Sequence, residues 1–168
     1  MMKINKNIAL IGMPAVGKSS VGLLLAEKLG LEFIDSDDLI QSEEQQTLAE
    51  IISSKGLSRF LEIEEKHIAG LTPHRHVIAT GGSAIYSQKA MENLSGTCTV
   101  IYLFIDFPDL LKRLSDITSR GVAIMPGKTV EDLYKERTPL YDRYCDIKLD
   151  CTSLTLEQVV EKAITALI

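Results

Sequence analysis

The feature that most constrains this chain is Gly12-Met13-Pro14-Ala15-Val16-Gly17-Lys18-Ser19, the pattern G-x-x-x-x-G-K-S, placed directly behind the apolar run Ile8-Ala9-Leu10-Ile11. Near-continuous apolarity over so few residues marks a strand buried on both faces, as in a parallel sheet. Parallel strands need helical crossovers, and residues 16–29 read as the first. Val21, Leu24, Leu25, Lys28 and Leu29 form its stripe, and Gly30 ends it. Glycines let the backbone between strand and helix turn so that its N–H groups converge on an anion, and the helix N-terminus adds positive potential. In such a loop Lys18 reaches β- and γ-phosphates and the Ser19 hydroxyl ligates Mg²⁺. An ordinary βα turn with a solvated lysine is the plain alternative, and the strand-before, helix-after context weighs against it.

The alternation continues along the chain. Residues 32–34, 76–79, 99–105 and 146–149 read as further strands. Residues 37–45, 47–71 (broken near Lys55-Gly56), 107–114, 130–144 and 154–168 read as helices, with a kink expected at Pro139. The expectation is an α/β fold: one domain over 1–168, a five-stranded parallel sheet in a three-layer α/β/α sandwich. With 168 residues, 45% hydrophobic and 24% charged, a single core can form without staples. The net charge of −5 argues against a sequence-independent nucleic-acid binder. It does not exclude an anionic ligand, because a few cations in one cleft reverse the local field. Cys98, Cys145 and Cys151 form no C-x-x-C pair or metal-ligand spacing, which fits free thiols in a reducing compartment. Residues 1–7 lack a signal-peptide core and 7–13 are too short to span a membrane, so the expected location is the cytoplasm, with no membrane partner.

Three further segments carry candidate chemistry. Phe33-Ile34-Asp35-Ser36-Asp37-Asp38 places carboxylates where a strand meets a helix. Ser36 as an N-cap, with Asp37 and Asp38 in the first turn, explains it structurally. A ligand site at the carboxyl ends of the strands explains it chemically, one carboxylate holding a Mg²⁺-bound water and another accepting a proton. Thr80-Gly81-Gly82-Ser83 permits close backbone approach to a ligand, and reads equally as a plain turn. Residues 116–128 break helical periodicity; they form either a connecting loop or a lid that delivers Arg120 to phosphates. Arg137, ahead of Thr138-Pro139-Leu140-Tyr141, is by itself a solvated helix cation or a fork for a carboxylate.

Taken together, the phosphate loop, the Phe-Ile-Asp-Ser-Asp run, the Thr-Gly-Gly turn, the arginine-bearing loop and Arg-Thr-Pro-Leu-Tyr resemble shikimate kinases over essentially the whole chain. The resemblance implies the nucleoside-monophosphate-kinase-like branch of the P-loop NTPase folds, with substrate-binding helices at about 36–71 and a lid at about 115–128. It implies a phosphotransferase that uses ATP and Mg²⁺ on a small hydroxylated carboxylic acid, without nucleic acid, and as a monomer. By that likeness Gly12, Pro14, Ala15, Val16, Gly17, Lys18, Ser19, Ser20, Arg113, Arg120 and Thr152 bind ATP. Ser19, and Asp35 through water, hold the metal. Asp37, Glu64, Gly81, Gly82 and Arg137 bind the acceptor, and Lys18, Asp37 and Arg120 act in catalysis.

The chain departs from the family pattern in places. Ser83 stands where the family has a third glycine, and the 150–155 turn lacks a proline. Leu61 stands where the family carries a second carboxylate-binding arginine. Arg59, about 200° away around the helix, is a poor substitute. ATP chemistry is untouched by these changes, but acceptor identity is not. Shikimate, phosphorylated to 3-phosphoshikimate in aromatic amino-acid biosynthesis, is the first expectation. Another hydroxylated metabolite such as homoserine or gluconate is the alternative, followed by a non-catalytic nucleotide-binding module.

Overall fold

The computed structural model of the chain describes residues 6–115 and 127–168. Five strands form one parallel sheet: β1 (Asn7–Ile11), β2 (Glu32–Asp35), β3 (His76–Ala79), β4 (Cys98–Phe104) and β5 (Ile147–Asp150), in the order β2-β3-β1-β4-β5. β1 is central, with Leu10 opposite Ala79 on one side and Ile101 on the other. All its residues are buried, which is why it reads as an unbroken apolar run. The chain moves from β1 to one edge and returns through β3 before crossing to β4. The carboxyl end of β1 therefore opens into a crevice.

The first crossover helix, α1 (Lys18–Leu29), starts two residues later than the apolar stripe suggests. Gly17 takes φ 96° at its N-cap, a left-handed conformation that costs other residues roughly 1–2 kcal/mol. Ala15 takes φ 67°, so the loop also holds a small side chain in an unfavourable region. Three helices follow β2: α2 (Ser36–Glu44), α3 (Leu48–Lys55) and α4 (Leu57–Ala69), the last two divided at Gly56 as the sequence leads one to expect. Ile40, Ile51, Phe60 and Ile63 form a small core among these helices, separate from the main core beside the sheet. Leu61 packs on this small core, which gives its apolar side chain a structural role.

Sequence periodicity assigns no element over 84–98. Here lie a 3₁₀ turn at Ala84–Tyr86 and helix α5 (Gln88–Thr97). Ser87 caps α5 by accepting from the Ala90 N–H, and only Ala90, Met91 and Leu94 are buried, too short a stripe to stand out by periodicity. The remaining helices are α6 (Phe107–Ser115), α7 (Val130–Tyr144) and α8 (Leu156–Ala166). α7 continues through Pro139 to Tyr144. α8 begins after Thr155, whose hydroxyl accepts from the Gln158 N–H. No described helix is long and apolar enough to cross a membrane.

Candidate active site

A cavity of about 230 Å³ opens at the carboxyl end of β1. Lys18, Ser19 and Ser20 of the phosphate loop line one side; Asp37, Glu64, Gly81, Gly82 and Arg137 line the other. Leu48, Phe60 and Leu114 supply an apolar wall that no motif announced. Most residues singled out from sequence therefore converge. Arg120 lies outside the described residues.

Ser19, at the start of α1, and Asp35, at the end of β2, meet in front of the β3 end that lies between β1 and β2. The Ser19 hydroxyl donates to Asp35 Oδ2, while Asp35 Oδ1 accepts from the Asp37 N–H at 2.9 Å and the Asp38 N–H at 3.4 Å. Asp35, not Ser36, is thus the N-cap of α2. Ser36 is fully buried as the first helical residue, and its hydroxyl accepts from the Gly81 N–H at 3.1 Å. That bond joins the β2 and β3 ends, and a sequence pattern cannot show it.

Lys18 is only 7% exposed. Its ammonium donates to Gly12 O and Met13 O, each at 2.8 Å, so it lies folded over the loop's own carbonyls. Burial pushes its pKa down to about 8, against the pull of Asp37 and with a smaller push from Arg137. A phosphate beside it would favour the charged form.

On the opposite wall of the cavity Glu64 is 2% exposed. Its Oε1 accepts from the Ser83 hydroxyl at 2.6 Å, and its Oε2 has no hydrogen-bond partner among the described residues. Burial first, and the Asp37 charge as well, push it up to about 7, although the Ser83 bond favours the ionised form. Ser83, the departure from the glycine pattern, thus touches Glu64 directly. Arg137 is 1% exposed. Its Nε donates to the Tyr86 hydroxyl at 3.1 Å, and its Cζ lies 5.2 Å from the Tyr86 ring centroid. Tyr141 donates to Gly82 O at 2.6 Å and so holds the glycine strip in place.

Gly81 and Gly82 are forced by space. A Cβ on Gly82 would stand 2.9 Å from Pro14 Cδ and 3.0 Å from Arg137 Nη1. Gly12, with φ 149°, would set a Cβ 2.7 Å from Leu103 O. Neither Arg113 nor Thr152 lines the cavity. Arg113 donates to Val16 O at 3.0 Å and pairs with Asp109 at 3.2 Å; Thr152 Oγ1 accepts from the Asp106 N–H at 3.0 Å. Arg113 thus touches the phosphate loop, while the Thr152 hydroxyl bonds to the residue ahead of α6. Leu61 also stays out of it. It lines a neighbouring cavity of about 300 Å³ that shares Glu64 and Ser83 with the first. Arg59 pairs with Glu62 on the exposed face, as its angular position predicts.

The shikimate kinase family model matches residues 14–168. The chain belongs to the shikimate kinase family. It is 38% identical to the shikimate kinase of Thermodesulfovibrio yellowstonii across 95% of this chain and 93% of that one. It is 33% identical to that of Sulfurihydrogenibium sp., across 95% and 96% respectively. The solved structure of shikimate kinase from Acinetobacter baumannii in complex with shikimate superposes with TM-score 0.90 at 29% identity, covering 98% of this chain and 93% of that one. Shikimate kinases are phosphotransferases acting on a hydroxyl group, and the three-layer parallel fold here is theirs. A gluconokinase of Sinorhizobium meliloti matches at TM-score 0.57 and 20% identity, a likeness of fold alone.

Proposed function

We propose that this chain transfers the γ-phosphoryl group of ATP to a ring hydroxyl of shikimate, giving ADP and 3-phosphoshikimate. The supporting observation is one cavity that joins a lysine-bearing phosphate loop to a buried arginine, Arg137, and the carboxylates of Asp37 and Glu64. In this reading Gly12 to Ser20 cradle the triphosphate, with Arg113 and Thr152 beside the base. Arg137 grips the acceptor carboxylate as a planar fork. The Gly81–Gly82 strip and Glu64 hold the ring hydroxyls. Asp37 orients the reacting hydroxyl and takes its proton as the oxygen attacks phosphorus and the bond to the β-phosphate oxygen breaks.

Lys18, with Arg120 from the 115–128 segment acting as lid, offsets charge on the transferring group. The hard oxygen donors of Ser19 and Asp35, already in contact, fit Mg²⁺ held directly by the hydroxyl and through water by the carboxylate. When bound, that ion neutralises phosphate charge. The chain would act as a one-domain monomer in the cytoplasm, in aromatic amino-acid biosynthesis.

A second reading rests on Glu64. A buried carboxylate oxygen without a partner suits an ammonium, so an amino-acid alcohol such as homoserine is the competing acceptor. Coupled detection of ADP release over shikimate, homoserine and gluconate decides between them. Saturable turnover of shikimate is expected. Turnover of homoserine with none of shikimate overturns the first reading. Asp37→Asn should keep ATP binding and lose transfer.

A further inference from the structure

We propose that Tyr86 is a positioning residue for Arg137, and that Glu136 and Lys128 hold Tyr86 to that task. The inference rests on the reading of Arg137 as the group that grips the acceptor carboxylate, and deepens it.

The phenol of Tyr86 stands between two charges of opposite sign. It accepts from Arg137 Nε at 3.1 Å and donates to Glu136 Oε1 at 2.5 Å. A hydroxyl has one proton, so the arrangement works in one sense only: proton to the carboxylate, lone pair to the guanidinium. The other oxygen of Glu136 is engaged by the Lys128 ammonium. The Lys128 bond, then the Tyr86 bond, holds Glu136 below the usual carboxylate range, and burial followed by the Glu136 bond pushes the phenol up. Tyr86 therefore stays protonated and Glu136 ionised, which keeps the polarity of the chain fixed.

An arginine side chain has several rotatable bonds, and fixing it on binding carries an entropic cost. Engaging Nε with Tyr86, beside the contact that Arg137 makes with Tyr141, constrains the plane of the guanidinium before any acceptor arrives. A carboxylate must then be met by the Nη atoms. Nη1 lies 3.0 Å from the point where a Cβ on Gly82 would stand, so this edge faces the glycine strip of the cavity. The anchors sit on or directly beside secondary structure: Arg137 and Glu136 are neighbours on α7, Tyr86 ends the 3₁₀ turn, and Lys128 directly precedes Thr129, the N-cap of α7. Nothing in the phosphate chemistry uses Tyr86, Glu136 or Lys128.

The test compares Tyr86→Phe, Glu136→Gln and Arg137→Lys in the full chain, with shikimate and ATP as substrates and thermal unfolding measured alongside. Tyr86→Phe keeps the ring and loses only the oxygen. It should raise KM for shikimate about tenfold while kcat and KM for ATP stay within about twofold. Glu136→Gln should raise the same KM by a smaller factor. Adding Tyr86→Phe to Arg137→Lys should raise KM no further, because the group being positioned is already altered. A lower unfolding midpoint with wild-type KM would mean that the contacts only brace α7 against the 3₁₀ turn, and overturns the proposal. Arg137→Lys raising KM while Tyr86→Phe does not also overturns it, yet leaves the reading of Arg137 standing. Wild-type KM in Arg137→Lys overturns both.

Discussion

Asp37 and Glu64 meet across Gly81: a methyl group built on that glycine would stand 2.7 Å from Asp37 Oδ1 and 2.6 Å from Glu64 Oε2. The backbone at Gly81 is not left-handed, so an alanine there is opposed by these oxygens rather than by its own φ. Gly81→Ala should fold, with a loss of roughly 1–3 kcal/mol in stability, and lower acceptor kcat/KM by about 10–100-fold. KM for ATP should hardly move. Equal loss in both substrates would mean that the glycine serves the phosphate loop instead.

The second prediction concerns pH. The Glu64 carboxyl is pushed from its ordinary 4.5 up to about 7, chiefly by burial. The folded chain then binds this proton more tightly than the unfolded chain, so stability falls as pH rises through the window from 4.5 to 7. Below it the penalty is absent; above it the penalty is complete, on the order of 1–3 kcal/mol. Glu64→Gln keeps an acceptor for Ser83 and removes the titration. Denaturant unfolding should show a flatter slope in that window for the variant than for the wild type.

Lys18 is buried over the loop carbonyls, and it is the phosphate-loop cation assigned to the transferring phosphate in the proposed reaction. Lys18→Ala should lower kcat by about 10³-fold or more while circular dichroism remains unchanged. Rates near wild type would remove it from the mechanism.

Leu61 shares a cavity of about 300 Å³ with Glu64, Ser83 and Tyr86. That space can take a guanidinium, and the buried carboxylate offers it a partner. Leu61→Arg should therefore lower KM for shikimate by about tenfold and draw the Glu64 carboxyl back toward its ordinary range. Weaker shikimate binding would show that α4 presents residue 61 away from the acceptor. KM from steady-state assays and the stability–pH slope report the two effects separately.

The sheet, its strands and the phosphate loop were legible because each is local. β1 is apolar throughout since both faces are covered, and G-x-x-x-x-G-K-S records backbone geometry in residue type. α5 was missed because only Ala90, Met91 and Leu94 face the core. In the acidic run residue type offers Ser36 as the N-cap of α2, and the structure gives that place to Asp35. Either residue is a good N-cap by type, and the choice depends on Ser36 being drawn to Gly81, a residue distant in sequence.

By itself the sequence determined the fold and the family, and marked Lys18, Ser19, Asp37 and Arg137 as worth following. Only the folded chain decided who touches whom around the cavity: Ser83 on Glu64, Tyr86 on Arg137, Leu48 and Phe60 as a wall. The reason is physical. Strand burial and loop curvature are set by neighbours along the chain, whereas a side chain's hydrogen-bond partner and desolvation depend on elements brought together in space.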